Sequence, residues 1–202
     1  MVRVKICGIK NTAEALVAIS AGAYAIGEVF APSSRQISVE KAAAINHTLN
    51  KQILKVGVFV DEKLDNLKRI YRETNLDIVQ LHGNEPPEYV AELDMPVIKA
   101  FAVSSRADID KVRNYQAWAY LFDTKITGQA GGTGIPFDWD LVKSLQVKKL
   151  ILAGGLNPDN VTTAIGQVKP WAVDVSSGVE DKDGIKDHQK IIEFISKVKE
   201  VG

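Results

Sequence analysis

The 202-residue sequence contains one cysteine, Cys7, and three histidines. A single cysteine excludes an intramolecular disulfide, and three scattered histidines do not form the ligand spacing of a metal site. Lysine plus arginine number 25, as do aspartate plus glutamate, so no net charge attracts nucleic acid or an anionic membrane. An anionic ligand would therefore have to be bound by a local site.

Three further features are absent. No apolar run is long enough to cross a bilayer, and the start, Met1-Val2-Arg3-Val4, lacks the pattern of a signal peptide. Together with the unpaired cysteine, these absences predict a cytoplasmic protein. The G-x-G-x-x-G fingerprint of dinucleotide-binding folds is also missing.

Short β-branched runs alternate with amphipathic segments along the chain. The eight candidate strands are 2–7, 24–30, 54–60, 77–82, 96–102, 118–123, 148–153 and 171–175. Strand followed by helix, at roughly 25 residues per unit, predicts an α/β protein with a parallel sheet. Eight units close into a single-domain (β/α)8 TIM barrel spanning residues 1–202. A doubly wound open sheet is the alternative, but it usually has fewer strands and the missing fingerprint.

The alternation of side chains along each strand predicts which residues point into the barrel. Because Val4 and Ile6 suit the face that meets the helices, Lys5 and Cys7 should point inward. The same alternation assigns these residues at five of the strands to the interior: Arg3, Gln80, His82, Lys99, Phe101, Asp123, Asp174 and Ser176. Such an interior is unusually polar. We hypothesise that Glu28 joins it and neutralises Lys5, because unpaired buried charges are costly.

In a barrel of this kind, reactive groups lie at the carboxyl ends of strands. That rule selects Cys7, His82, Asp123 and Asp174. Cys7 and Asp123 both occupy the last inward position before a loop and form a candidate base and acid. A thiol acts as a base only as its thiolate, which a cation such as Lys5 or Arg35 would stabilise. The alternatives are a packing role for Cys7 and a turn-capping role for Asp123.

Two turns after the last strands have the composition of anion-binding loops. Gly154-Gly155 ends the seventh strand, after which Asn157 would cap a helix that has Pro158 at its first position. Ser176-Ser177 ends the eighth strand. Barrels often bind phosphate with the loops after these two strands. We therefore predict a phosphate site here, although glycines also permit ordinary tight turns.

The connection after Asp123, residues 124–136, is long and contains four glycines. Glycine-rich loops of this length beside a site often act as lids. We predict a lid, with a simple surface loop as the alternative.

Six segments, taken together and in order, resemble the phosphoribosylanthranilate isomerase family of tryptophan biosynthesis, whose fold is a (β/α)8 barrel. They are 5–9 (KICGI), 30–35 (FAPSSR), 79–83 (VQLHG), 123–134 (DTK and GGTG), 152–156 (LAGGL) and 173–180 (VDVSSGVE). The resemblance spans nearly the whole chain. One departure follows Gly27, where the family usually has an apolar residue and this chain has Glu28.

The resemblance implies an Amadori rearrangement of N-(5-phosphoribosyl)anthranilate to 1-(o-carboxyphenylamino)-1-deoxyribulose 5-phosphate, without cofactor or metal. By that similarity Asp123 is the general acid for the ribose ring oxygen, and Cys7 removes the proton from the adjacent carbon. Arg35 matches the family arginine that holds the anthranilate carboxylate, and His82 and Asp174 match positions that line the site. The residues that fall where the family binds the substrate phosphate are Gly154, Gly155, Ser176 and Ser177.

Two rival functions fit parts of the pattern. An indole-glycerol-phosphate synthase would be expected to use a lysine and a glutamate rather than Cys7 and Asp123. A non-catalytic phospholigand-binding barrel would have no reason to hold an acid and a base at its strand ends. We expect a small phosphorylated aromatic substrate, no nucleic acid or membrane partner, and a monomer or homodimer.

Overall fold

The computed structural model describes residues 1–49, 53–124, 139–143, 145 and 147–201. Eight parallel strands pair in chain order and close on themselves, with the first strand beside the eighth. The strands are β1 (Arg3–Cys7), β2 (Ala25–Val29), β3 (Leu54–Phe59), β4 (Ile78–Leu81), β5 (Val97–Val103), β6 (Ala119–Thr124), β7 (Leu150–Leu152) and β8 (Ala172–Val175). The predicted barrel is confirmed, and the closed sheet excludes the open alternative.

A helix follows each strand. The helices are α1 (Thr12–Ala21), α2 (Val39–Leu49), α3 (Leu64–Glu73), α4 (Pro87–Ala91), α5 (Arg106–Asp110), α6 (Asp140–Lys143), α7 (Val161–Val168) and α8 (His188–Val201), with 3-10 turns at Lys111–Asn114 and Ser177–Val179. Within the described ranges, no helix combines the length and apolar character needed to cross a bilayer.

Local sequence signals explain where α1 begins and ends. The Asn11 side chain accepts a hydrogen bond from the backbone N–H of Glu14 at 2.9 Å, which caps the first turn. Gly22 ends the helix in the left-handed region at φ 97°.

The helix after β7 begins later than the sequence suggests. The N-cap of α7 is Asn160, so the prediction that Asn157 caps the helix with Pro158 at its first position is wrong. Asn157 Oδ1 instead caps the preceding turn, because it accepts from the backbone N–H groups of Asp159 at 2.8 Å and Asn160 at 3.1 Å. The capped residues 158–160 form a turn, and the regular helix α7 starts at Val161.

Apolar side chains form two layers. The larger layer lies between sheet and helices and includes Val4, Ile6, Val79, Leu81 and Val173. The smaller layer fills the barrel interior and comprises Ala25, Val56, Ile78, Ile98, Ala100, Ala119, Leu121, Ile151, Ala153 and Ala172. The polar inward positions lie nearer the carboxyl ends of the strands, so the interior is apolar at one end and polar at the other.

Two predicted inward positions on β5 are wrong. Ile98 is in register with inward-facing Gln80 and belongs to the interior layer, so its neighbours Lys99 and Phe101 point toward the helices. There Lys99 Nζ forms a buried ion pair with Glu85 Oε2 at 2.7 Å. Both faces of β5 carry apolar residues, so polarity alone could not assign them.

The hypothesis that Glu28 neutralises Lys5 is also wrong. Cys7 is in register with Gly27, so Gly27 faces the interior and Glu28 faces the helices. Glu28 is fully buried there and accepts a hydrogen bond from Asn46 Nδ2 of α2 at 2.8 Å. Lys5 has a different partner, which lies in the site.

Candidate active site

Lys5, Cys7 and Asp174 meet at the carboxyl ends of the adjacent strands β1 and β8. Lys5 Nζ donates to Asp174 Oδ1 at 2.9 Å, and both side chains are buried. A Cβ on Gly27 of β2 would stand 2.9 Å from both Cys7 Sγ and Lys5 Nζ. The missing side chain at Gly27 therefore leaves room for the thiol and the ammonium to lie side by side.

Burial and charge oppose each other at this cluster. Burial is the largest effect on the pKa of the Cys7 thiol and leaves it raised; the charge of Lys5 lowers it in part, and the charge of Asp174 raises it further. Burial lowers the pKa of Lys5, but Asp174 and Cys7 outweigh burial, so that the pKa of Lys5 is raised. Lys5 is therefore positively charged. Its charge stabilises the Cys7 thiolate and so opposes the effect of burial, which favours the neutral thiol.

Asp123, at the carboxyl end of β6, lies beside His82, which follows β4. His82 Nε2 is 3.4 Å from Asp123 Oδ2, and each side chain is about one-third exposed. One level deeper, the buried Gln80 amide nitrogen lies 2.9 Å from His82 Nδ1. With Gln80 donating to Nδ1, the neutral ring carries its hydrogen on Nε2, which faces Asp123.

Asp174 connects these two parts of the site electrostatically. Burial raises the pKa of its carboxyl, the charge of Lys5 lowers it, and the charge of Asp123 raises it. On balance the pKa of the Asp174 carboxyl is raised, and because it responds to the charges of both Lys5 and Asp123, Asp174 links the candidate acid to the pair of Lys5 and Cys7.

Arg35 lies across Gly8, the residue after Cys7. Gly8 has φ 83°, and a Cβ there would stand 2.8 Å from Arg35 Cδ. Arg35 Nε and Nη2 each donate to the Glu180 carboxylate at 2.7 Å, and Lys186 Nζ donates to Glu180 Oε1 at 2.6 Å. Burial raises the pKa of Glu180, but its bonds to Arg35 and Lys186 outweigh burial and lower the pKa to about 2.

The loops after β7 and β8 approach each other closely. Gly154 and Gly155 have φ of 85° and 65°, which side-chain-bearing residues rarely adopt. A Cβ on Gly178 would overlap the carbonyl oxygen of Leu156. A pocket of about 380 Å³ lies between the two loops and α8, and Lys190 and Glu193 of α8 line it together with Gly155 and Ser177. Gly154 and Ser176 are not among the residues that line this pocket.

Ser176 joins this pair of loops to the candidate base. Its hydroxyl donates to the Cys7 carbonyl oxygen at 3.1 Å, and its own carbonyl oxygen accepts from Lys186 Nζ at 3.0 Å. The predicted lid does not enter this geometry, because residues 125–136 lie outside the described residues.

Comparison with known proteins identifies the family. The model of the N-(5'-phosphoribosyl)anthranilate (PRA) isomerase family matches residues 4–197. The chain belongs to this family. A curated relative named N-(5'-phosphoribosyl)anthranilate isomerase, from Syntrophomonas wolfei, is 52% identical over 201 residues, which cover 99% of this chain and 98% of the relative.

Solved structures of PRA isomerases have the same fold. The Thermotoga maritima enzyme superposes with a TM-score of 0.93 at 44% identity, covering 99% of this chain and 100% of that one. A PRA isomerase in complex with reduced 1-(o-carboxyphenylamino)-1-deoxyribulose 5-phosphate superposes with a TM-score of 0.89 at 43% identity and the same coverage.

The sequence predicted no functional role for Gln80, Glu180 or Lys186. Glu180 lies in the segment 173–180 and is its second acidic residue besides Asp174, so its charge next to small and apolar residues was an available signal. Lys186 follows in a polar stretch, where nothing in the sequence separates it from Lys182 or the other lysines. Its partner becomes visible only in the fold.

Proposed function

We propose that Cys7 is the general base and Asp123 the general acid with which this chain isomerises N-(5'-phosphoribosyl)anthranilate in tryptophan biosynthesis. The observation that carries these roles is the placement of a thiol and a carboxyl group at the carboxyl ends of β1 and β6 of one closed barrel. Each group has a polar neighbour that supports its proposed role, since Lys5 lies beside the thiol and His82 beside the carboxyl.

Asp123 acts in the first step. It donates its proton to the ring oxygen of the ribose, the bond from that oxygen to the anomeric carbon breaks, and the anilino nitrogen lone pair forms a cationic Schiff base. The carboxylate that remains accepts a hydrogen bond from His82 Nε2, which already lies 3.4 Å away. His82 therefore stabilises the charge that develops on the acid.

Cys7 acts in the second step. Its thiolate removes the proton from the carbon next to the Schiff-base carbon, the C–H electrons form a C=C bond, and the C=N electrons return to nitrogen. The enolamine then tautomerises to the ketone, 1-(o-carboxyphenylamino)-1-deoxyribulose 5-phosphate. Lys5 and the positive Schiff base both favour the thiolate at this stage, against the effect of burial on the thiol pKa.

The two ends of the substrate have separate partners in this proposal. Arg35 holds the anthranilate carboxylate through its planar guanidinium. The phosphate lies at the loops after β7 and β8, against the backbone of four residues with small side chains: Gly154, Gly155, Ser176 and Ser177. Asp174 lines the site and keeps Lys5 charged.

The proposal also covers the setting of the enzyme. A single unpaired cysteine supports a cytoplasmic location. The unbroken alternation of strand and helix supports one domain over residues 1–202. In this proposal the chain acts as a monomer or homodimer, and its substrate is a small phosphorylated aromatic molecule. Light scattering of the purified chain distinguishes the two assembly states.

The test follows the loss of phosphoribosylanthranilate fluorescence. Cys7→Ala and Asp123→Asn should each lower kcat at least about a thousandfold. Both variants should still bind the reduced product analogue with nearly wild-type affinity, because neither removes the proposed carboxylate or phosphate contacts. Turnover by either variant close to that of the wild type would exclude the assigned role.

A further inference from the structure

We infer that Glu180 and Lys186 are positioning residues that fix the Arg35 guanidinium and give its surroundings a net positive charge, so that Arg35 binds the substrate carboxylate by its free edge. The inference rests on the proposed function of Arg35. Neither Glu180 nor Lys186 needs to touch the substrate.

The first step concerns the two edges of the guanidinium. A guanidinium has five N–H donors in one plane. The side edge, Nε and Nη2, is occupied by Glu180 with two bonds of 2.7 Å. Among the described residues no partner occupies the end edge, formed by Nη1 and the second N–H of Nη2, and this parallel pair of donors matches a second carboxylate.

The exposed fractions of the two side chains show which member of the Arg35–Glu180 pair is anchored in the protein. The Glu180 side chain is 6% exposed, whereas that of Arg35 is 28% exposed. The stem of Arg35 is held as well, because it packs across Gly8 where no side chain intervenes. The guanidinium is therefore fixed from the protein side and accessible from the other, beside the residue that follows Cys7.

The second step concerns charge. Arg35 and Glu180 alone would be neutral, and a guanidinium already neutralised would attract a second carboxylate weakly. Lys186, whose side chain is 1% exposed, adds one buried positive charge at 2.6 Å from Glu180 Oε1. Burial lowers the pKa of Lys186, and the hydrogen bond to Glu180 opposes that shift and favours the charged form. An unbalanced buried charge costs free energy. The substrate carboxylate balances the excess positive charge, because the site then holds two cations, Arg35 and Lys186, and two anions, Glu180 and the substrate carboxylate.

The third step concerns position. Lys186 Nζ also donates to the Ser176 carbonyl at 3.0 Å, and the Ser176 hydroxyl donates to the Cys7 carbonyl at 3.1 Å. The cluster Arg35–Glu180–Lys186 is thus tied to the backbone of the candidate base. A substrate held by its carboxylate is placed at a fixed distance from the thiol.

The experiment compares two ligands by calorimetry: the reduced product analogue and its counterpart without the aromatic carboxylate. Lys186→Met should weaken binding of the carboxylated ligand about tenfold or more and leave the other ligand within about twofold. In an Arg35→Ala background, Lys186→Met should have no further effect on either ligand. The matched control is Lys111→Met, which breaks an exposed ion pair with Asp108.

The double variant Glu180→Gln/Lys186→Met keeps the test usable if the single variant does not fold. It restores a net positive charge at Arg35, so affinity for the carboxylated ligand should return toward that of the wild type. Because the carboxylate that orients Arg35 is gone, kcat should stay at least about tenfold low.

Equal losses for both ligands in Lys186→Met, or a full additional loss in the Arg35→Ala background, would overturn the inference. Failure of the proposed role of Arg35 is distinct, because Arg35→Ala alone would then weaken binding of the carboxylated ligand no more than binding of its counterpart.

Discussion

Glu28→Gln should make the protein more stable at and above neutral pH. Glu28 is fully buried between β2 and α2, and one of its carboxyl oxygens accepts from Asn46 Nδ2 at 2.8 Å. Within the described part of the chain, the other carboxyl oxygen and Asn46 Oδ1 both have no hydrogen-bond partner. A protonated carboxyl adds one hydrogen-bond donor to a site in which two buried oxygens lack a partner, so the neutral acid suits this site.

The magnitude follows from the pKa of Glu28. Burial raises it from 4.5 to about 7, although the Asn46 hydrogen bond and the charge of Lys55 lower it. Below pH 4.5 the carboxyl is protonated in the folded and unfolded chain alike. Between these two pKa values only the folded chain keeps the proton, so stability falls as pH rises. Above about pH 7 Glu28 is ionised in the folded and the unfolded chain, and the loss of folding stability is complete. The difference of about 2.5 units between the two pKa values corresponds to about 3 kcal/mol.

Glutamine has the same shape as glutamate but carries no charge, so Glu28→Gln avoids the free-energy cost of burying a carboxylate. Urea unfolding of both proteins from about pH 5 to 8.5 should show a stability difference that grows with pH and levels off near about 3 kcal/mol, to within a factor of two. Glu73→Gln, which breaks the exposed pair with Arg69, is the control and should show no such growth. A difference that is constant with pH, or larger in acid, would refute the reasoning.

Two further predictions concern the site. Lys5→Met removes the cation that lowers the Cys7 pKa, so the ascending limb of the kcat/KM profile should move to higher pH, and alkylation of the thiol by iodoacetamide should slow at about pH 7. An unmoved limb would contradict a role for Lys5 in forming the thiolate. Gly178→Ala places a methyl group on the Leu156 carbonyl oxygen, so KM and the inhibition constant of inorganic phosphate should each rise about tenfold or more. Gly166→Ala is the control, because no atom of the described residues lies within 4 Å of the added carbon; it should keep KM unchanged and raise helix stability by up to about 1 kcal/mol. Unchanged phosphate inhibition in Gly178→Ala would count against the site between these loops.

The barrel could be predicted from the sequence because the alternation of strands and helices is local. Each strand has its own apolar run, and the strand ends that bear Cys7, His82 and Asp123 lie at one end of a parallel barrel whatever the exact register. Side-chain alternation also correctly assigned Lys5 and Gln80 to the interior, because the opposite faces of those strands are clearly apolar.

The failures arose where the information is not local. On β2 the run Ala-Ile-Gly-Glu-Val does not distinguish its two faces, and only the register with β1 turns Glu28 outward. On β5 apolar residues occupy both faces, which hid the direction of Lys99. Glu180 binds Arg35 across 145 residues of sequence, and no pattern of spacing announces such a contact.

The contact between Lys5 and Asp174 joins residues 169 positions apart, on the two strands whose pairing closes the sheet. Loop closure of that length is among the slower events of folding, since few local contacts compensate its entropy. During refolding, catalytic competence should therefore return after most helical signal, together with the pairing of the first and last strands. Activity would then report the completion of the barrel rather than the formation of its parts.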